Sequence, residues 1–432
     1  PIPKTVTYGP PQGIDHEETV RAGMRVLVPL GRRKVTGYVV GPGSEPVDQE
    51  GGFKVKPILE LLDTEPLFPD ILIPFYRWIA DYYHFPLGEV IRTALPGGLI
   101  TGSRRVICLT EDGPANLSTL ESTFSGPEYE WVHTLLDKGK LTSAVTAALW
   151  RQPQMQSLIK KWQAKGWLIV EDEVRRKNFQ EKKQFFVSLA KDLEDKVGAC
   201  NTANEEFIAI LDELYPDLKK SEKKTLEVFW ELWIQAGKIH VLRPEITRLY
   251  SGAGKALKSL EELGIVRVEQ LKVYRDPFGQ QPQFHPRPEK LTAEQEQVLA
   301  ELEPVVQKPS FRPFLLHGVT GCGKTEVYMC AAEKVLDNGR SVLVLVPEIA
   351  LSTQLEAHFY SRFGDVLAVL HSGLSSGERH DQWQRITGGQ ARIVIGARSA
   401  VFAPLEDPGL IIVDEEHEPA YKQEDGLRYN GR

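Results

Sequence analysis

The segment Leu315-Leu316-His317-Gly318-Val319-Thr320-Gly321-Cys322-Gly323-Lys324-Thr325 constrains the fold of this chain more than any other. A short apolar strand that runs into Gly-x-x-x-x-Gly-Lys-Thr and then into a helix-forming stretch needs a parallel α/β layer to carry it. The glycines let successive backbone N–H groups turn toward phosphate oxygens, and the helix that follows points its positive end at them. Gly318, Thr320, Gly321 and Gly323 are therefore expected to cradle a nucleoside triphosphate. Lys324 would reach the β- and γ-phosphates, and the Thr325 hydroxyl would ligate Mg²⁺.

From Leu291 onward the pattern agrees with that demand. Strands are predicted at Phe314 to His317, Ser341 to Val346, Leu367 to Leu370, Ile393 to Ile395 and Leu410 to Val413, with helical patterns at Lys324 to Asn338 and from Leu351. The last strand runs into Asp414-Glu415-Glu416-His417. Its acidic tip falls at the carboxyl end, where open α/β sheets bind ligands. Asp414 is expected to hold Mg²⁺ and Glu415 to orient and deprotonate the attacking water, with His417 sensing the γ-phosphate.

The first 290 residues differ in kind. Alternating β-branched and polar residues between glycines predict strands at Lys4 to Tyr8, Arg25 to Leu30, Thr36 to Val40 and Lys56 to Leu62, a small β domain. Pro69 to His84 carries apolar residues at helical spacing and is expected to pack on it. Gly139 and Gly237 are 98 positions apart, and so are Gly166 and Gly264, which suggests duplication of one helix-rich unit ending in a β stretch, the order of a winged helix. The boundaries expected are 1–110 for the β domain with its helix, 111–182 and 221–278 for the two winged-helix-like units, 183–220 for a helical bridge, 279–290 for a linker and 291–432 for the α/β lobe. Lys219-Lys220 and Lys223-Lys224 read as a solvated helix start.

Composition sets limits. Over 432 residues the formal net charge is −7, so contact with nucleic acid must be local rather than through a broad positive field. No apolar run reaches the roughly 18 residues of a membrane span. Without an initiator Met or a signal segment the chain is expected to be trimmed at its front and cytoplasmic, in the nucleoid. Its four cysteines are spaced for neither zinc nor a disulfide framework and read as reduced thiols.

Taken together, Gly318 to Tyr328, Val346-Pro347-Glu348-Ile349-Ala350-Leu351-Ser352-Thr353-Gln354, His371-Ser372-Gly373-Leu374, Gly396-Ala397-Arg398-Ser399-Ala400-Val401-Phe402-Ala403-Pro404 and Asp-Glu-Glu-His closely resemble the PriA family of bacterial replication-restart helicases, in superfamily 2. The likeness covers nearly all of 291–432 and extends more loosely to the N-terminal region. It implies an incomplete RecA-like lobe in a multidomain chain. Gln295 matches the family's adenine-reading glutamine, and Arg398 and Ser399 lie in a segment that grips the phosphates of single-stranded DNA. The stretch 420–429 resembles an aromatic-rich loop that senses DNA. Since Leu427 stands where the family carries Trp, Tyr421 and Tyr429 are expected to do the base stacking. Residues 1–110 resemble the domain that captures the 3′ end of a nascent strand, with Gly31 and Lys56 at pocket positions. Thr7 stands where the family has Asp, so altered 3′-end discrimination is expected.

The resemblance further implies an ATP-dependent 3′-to-5′ helicase that binds abandoned forks and initiates primosome assembly. Its partners would be forked and single-stranded DNA, single-stranded DNA-binding protein and helicase-loading proteins. The family's zinc module, second motor lobe and arginine finger are expected beyond Arg432, so zinc is expected only there. A fork-binding scaffold with a silent motor and a duplex translocase are the competing readings.

Overall fold

The computed structural model describes residues 5–11, 20–31, 33–43, 55–97, 103–119, 129–174, 182–197, 204–237, 240–275, 277, 285–308, 310–319, 321–347 and 354–432. They divide into two compact units, one made of 1–179 with 276–432 and the other of 180–275. The chain is mixed α/β, with small antiparallel sheets and one four-stranded parallel sheet consistent with a partial RecA-like lobe. Among the described residues no helix is long and apolar enough to cross a membrane.

In the first unit, β1 (Arg25–Leu30), β2 (Arg33–Tyr38) and β3 (Glu60–Leu61) form an antiparallel sheet in the order β2-β1-β3. Alternation turns Val26 and Val28 inward against Ile58. Gly31, at φ 60°, makes the turn into β2. Arg25 clamps the end of the sheet by donating to Asp63 from Nη2 at 2.6 Å and from its backbone N at 2.8 Å. The strand expected at Lys4 to Tyr8 reduces, in its described part, to a single bridge between Gly9 and Pro57.

Next come α1 (Leu72–Tyr82) and α2 (Leu87–Ala94). The helix meets the small sheet, whose Tyr38 packs with Val40 against its core, and it also covers a second surface. Ile73, Tyr76, Ile79, Val90 and Ile91 share a core with Trp383, Phe402, Leu427 and Tyr429 of the parallel lobe. Two bonds fix the contact: Trp383 Nε1 donates to Leu67 O at 2.6 Å, and Asn430 N donates to the Tyr83 hydroxyl at 3.0 Å. The reason is area. The small sheet buries three side chains in its own core, whereas each large apolar side chain on the helix face gains about 1.5–3 kcal/mol only where a surface exists to cover it.

β4 (Ser103–Leu109), α3 (Gly113–Ser118), α4 (Glu130–Lys138), α5 (Ser143–Trp150), α6 (Pro153–Ala164) and β5 (Leu168–Val174) follow, with β4 and β5 antiparallel over seven pairs from Ser103↔Val174 to Leu109↔Leu168. The second unit repeats this plan with β6 (Lys183–Leu189), α7 (Lys191–Val197), α8 (Asn204–Leu214), α9 (Lys220–Gln235), β7 (Val241–Leu242), α10 (Arg243–Leu249), α11 (Ala253–Glu262) and β8 (Val266–Lys272). Its sheet order is β7-β6-β8. The four repeating glycines sit at φ 69°, 71°, 73° and 70°, the left-handed stop that ends α4, α9, α6 and α11 in turn.

The first copy thus begins one strand earlier than expected, and the second one strand and two helices earlier. The segment 183–220 is no bridge, because β6 is the central strand of the second sheet and α7 and α8 bury Leu193, Val197, Phe207 and Leu211 in that unit's core. Phe207 stacks on Trp230 with centroids 4.0 Å apart. Likewise β4, expected inside the N-terminal domain, pairs with β5 instead. A leading strand has no core of its own and belongs with its hairpin partner. Lys219 and Lys220 do stand at the start of α9, and Lys223 and Lys224 pair with Asp212 and Glu227.

In the lobe, α12 (Ala293–Val306) and α13 (Lys324–Asp337) precede β9 (Ser341–Leu345), α14 (Gln354–Phe363), β10 (Leu367–Leu370), α15 (Ser376–Thr387), β11 (Ile393–Gly396) and β12 (Pro408–Val413). All four strands are parallel, in the order β10-β11-β9-β12. One face buries Val342, Val344, Ile393 and Ile395 under Met329, Val335 and Phe359. The other buries Leu343, Leu345 and Val394 under Ile386, Ala400 and Tyr421. The strand expected at Phe314 to His317 is absent. Residues 310–319 run without strand pairing, leaving Phe311 96% and Leu315 80% exposed. Among the described residues no strand pairs with the outer edge of β12, so these side chains have no layer to bury them.

Candidate nucleotide site and nucleic-acid contacts

The glycine-rich loop is held from three sides. Gly323 sits at φ 85°, and a Cβ there would lie 2.4 Å from Gln295 Nε2, so no other residue fits. Gln295 itself donates to Gly323 O at 3.2 Å, while its Oε1 accepts from Thr292 N at 2.9 Å in the capping box that starts α12. Lys324 arches back, its Nζ donating to Gly318 O at 2.9 Å and Val319 O at 3.2 Å. The ammonium is thus parked on loop carbonyls. Thr320 lies outside the described residues.

The acidic strand tip reaches the same place. Asp414 N donates to Leu345 O at 2.9 Å, extending the β9–β12 ladder by one bond and fixing where the carboxylate emerges. Its Oδ1 accepts from the Tyr328 hydroxyl at 3.2 Å. Burial pushes the Asp414 carboxyl above its ordinary range, a push partly opposed by that hydrogen bond and by Lys324 and reinforced by Glu415. Burial also raises the Tyr328 phenol, so it stays a donor. Glu415 adopts φ 45°, an uncommon backbone for a non-glycine residue and a strain of the sort found at functional positions.

Gly321, Gly323, Lys324, Thr325, Asp414 and Glu415 line one cavity of about 660 Å³. Phosphate loop and carboxylates therefore converge at one rim of the sheet. His417 stands outside the cavity and is 69% exposed at its side chain, with Nδ1 3.8 Å from Glu415 Oε2. A hydroxyl on Thr325 and a half-buried carboxylate on Asp414 form a donor set of oxygen ligands that fits Mg²⁺. Tyr328 was not singled out from the sequence. Its spacing from Lys324, one helical turn along α13, was the available signal.

A network beside the cavity also escaped the sequence reading. Arg362 of α14 donates to Glu326 at 2.6 Å and to Glu333 at 2.8 Å. The nearby segment holds His285 against His358, ring centroids 3.8 Å apart.

The expected DNA contacts fare unevenly. Thr7 and Lys56 are exposed on adjoining segments, joined where Gly9 N donates to Lys56 O at 2.9 Å. Gly31 is exposed at the β1–β2 turn, and the Tyr8 hydroxyl donates to Pro29 O just before it at 3.0 Å. Arg398 and Ser399 line a second cavity of about 350 Å³. Arg398 also serves as a tie, with Nη1 donating to Ala420 O at 3.1 Å and Lys422 O at 2.6 Å.

Tyr421 and Tyr429 do not offer their rings for stacking. They are 1% and 4% exposed, and Leu427 is equally buried. The Tyr421 hydroxyl reaches Leu345 O at 3.0 Å and Asp414 O at 2.5 Å, and the Tyr429 ring meets Phe402 edge-on at 4.9 Å. Rings this apolar gain more by completing a core than by waiting in water: Tyr429 joins the core shared with α1 and α2, and Tyr421 the core on one face of the parallel sheet.

Comparison with known proteins agrees with this architecture. Residues 1–96 match the family described as 3'DNA-binding domain (3'BD), and residues 292–430 match DEAD/DEAH box helicase. These domain types imply DNA binding and ATP binding. The chain is 30% identical over 413 residues to the replication restart protein PriA of Bacillus subtilis (strain 168), covering 96% of this chain and 47% of that protein. It is 32% identical over 428 residues to the Synechocystis protein of the same name, covering 96% and 46%, and 29% identical over 438 residues to that of Haemophilus influenzae, covering 100% and 45%. The chain spans about half the length of the curated relatives it matches. It belongs to the PriA family of replication restart proteins, of which it carries the N-terminal 3′ DNA-binding domain and the DEAD/DEAH helicase portion.

Proposed function

We propose that the protein is an ATP-dependent 3′-to-5′ DNA helicase that binds stalled or abandoned replication forks and initiates primosome assembly, acting in the nucleoid. This chain would supply fork binding and half of the ATP site. The observation that carries the reading is the single cavity lined by Lys324, Thr325, Asp414 and Glu415. In it Lys324 would leave the carbonyls of Gly318 and Val319 for the β- and γ-phosphates. Thr325 and Asp414 would hold Mg²⁺, which when bound neutralises charge on the phosphoryl oxygens. Glu415 would accept the proton of the attacking water, and His417, 3.8 Å from Glu415, would respond to the γ-phosphate through it. Gln295 would hold the loop while reading the base.

On the DNA side, Thr7, Gly31 and Lys56 would receive the 3′ end, and Arg398 and Ser399 the single strand. The two repeated units would act as winged-helix-like modules toward duplex DNA, single-stranded DNA-binding protein or helicase loaders. Strand displacement on a fork by the full-length protein tests the reading. Loss of displacement in Lys324→Ala supports it. Equal displacement by both forms would mean that the motor is not the agent, and tracking without displacement would favour a duplex translocase.

A further inference from the structure

The second cavity is built by elements far apart in sequence. Its walls are the end of α2 with the residues that follow it, the carboxyl ends of β9, β10 and β11, and the first turns of α15. Arg92, Arg379, Arg398 and His371 line it, and among the described residues no carboxylate does. Arg379 Nε is sealed from solvent and has no hydrogen-bond partner, and the same holds for Arg398 Nε. A buried guanidinium N–H without an acceptor is costly to leave so, and its planar fork suits the oxygens of a phosphate. Arg92 is held only loosely, 3.5 Å from Glu89 with both side chains solvated, so it can turn toward a ligand. Hydroxyls of Ser372 and Ser399 complete a lining suited to a phosphodiester.

We propose that a single-stranded phosphodiester backbone seats in this cavity and that Arg379 of α15 and Arg92 of α2, both outside the helicase motif segments, are phosphate contacts. The inference rests on the reading that residues 396–404 grip single-stranded DNA and extends it to two further elements. Because α2 lies within residues 1–96, the stretch that matches the 3′ DNA-binding domain, the strand would be held jointly by the motor lobe and by the 3′-end module.

The test is anisotropy of a fluorescein-labelled oligothymidylate carrying a 3′-phosphate, so that 3′-hydroxyl capture does not contribute, titrated with this chain over a range of salt. Arg379→Ala and Arg92→Ala are each expected to weaken binding roughly 5- to 10-fold near ~0.1 M salt and to flatten the log–log salt slope by about 0.7, one phosphate each. Binding of a fluorescent ATP analogue should be unchanged in both, and the solvated Arg92 keeps the test alive should the Arg379 variant fold poorly. Unaltered slopes in both variants, with weakened binding in Ser399→Asp, would overturn the proposal while leaving the strand on residues 396–404. Unaltered binding in Ser399→Asp as well would remove that reading too. Equal weakening toward a blunt hairpin duplex would overturn the assignment to a single strand.

Discussion

The two cavities of the parallel lobe lie at the carboxyl ends of different strands of one sheet, β12 for the first and β9, β10 and β11 for the second, and differ in charge and in construction. The nucleotide cavity mixes signs, with Lys324, Arg287 and Arg362 facing Asp414, Glu415, Glu326 and Glu333. Among the described residues, the ionisable side chains lining the second are three arginines and a histidine. A mixed site suits a polyanion that brings its own metal, since the carboxylates take the cation and the lysine takes the phosphates. A site of one sign suits a backbone whose charges come singly and are shed from their counterions on binding. The contrast teaches that one sheet edge can serve both ligands without a broad positive surface, in keeping with a net charge of −7.

The contrast breaks most plainly at Lys324. Lys324→Ala should lower ATP hydrolysis of the full-length protein by about 10³-fold or more while leaving oligonucleotide affinity of this chain within about twofold. A parallel fall in both would mean that the cavities are not separable. This chain by itself should show no DNA-stimulated turnover near ~1 s⁻¹, because an arginine finger is worth about 10³ to 10⁵ in rate in related NTPases.

A second effect, of about 2–3 kcal/mol, concerns Glu356 of α14, which stands 3.8 Å from His371 of the second cavity. Burial raises its carboxyl to about 7, and its Oε1 has no hydrogen-bond partner. The folded protein therefore keeps a proton that the unfolded chain releases. Stability from this group is full below the ordinary glutamate pKa and is lost as pH rises to about 7. Glu356→Gln should raise the melting temperature at pH 8 and leave it nearly unchanged at pH 5. A gain of equal size at both pH values would contradict the account.

The smallest effect sharpens the nucleotide side. Tyr328→Phe removes the hydroxyl that stabilises the charged Asp414 carboxylate. The pKa of Asp414 should rise further, so Mg²⁺-dependent binding of an ATP analogue should weaken a few-fold and do so more at pH 6 than at pH 8. A loss independent of pH would assign Tyr328 to packing alone.

The nucleotide cavity was legible because contiguous motifs write most of it. A loop of eight residues and one strand tip carry Gly318 to Thr325 and Asp414 to His417, and local spacing suffices to place them. The second cavity was half legible, since Arg398 and Ser399 belong to a motif whereas Arg92 and Arg379 enter by packing of α2 and α15. The same cause hid the second surface under α1: a helical face shows that something must cover it, not which partner has the area. The repeat glycines announced the duplication, but nothing local says that β4 and β6 open each copy, because strand pairing is settled by a partner 59 to 89 residues away. Tyr421 and Tyr429 were misjudged because an aromatic in a polar loop has the same sequence signature whether its ring faces solvent or closes a core.

The Tyr421 hydroxyl, lodged against the carbonyls of Leu345 and Asp414, gives the loop a direct handle on the backbone that carries the Asp414 carboxylate. Any force that drags residues 420–429 outward must either snap that attachment or pull on the peptide from which the Asp414 carboxylate springs. A displacement of the loop would then reach the acidic strand tip as a mechanical tug through one phenol, with no proton needing to change hands along the way.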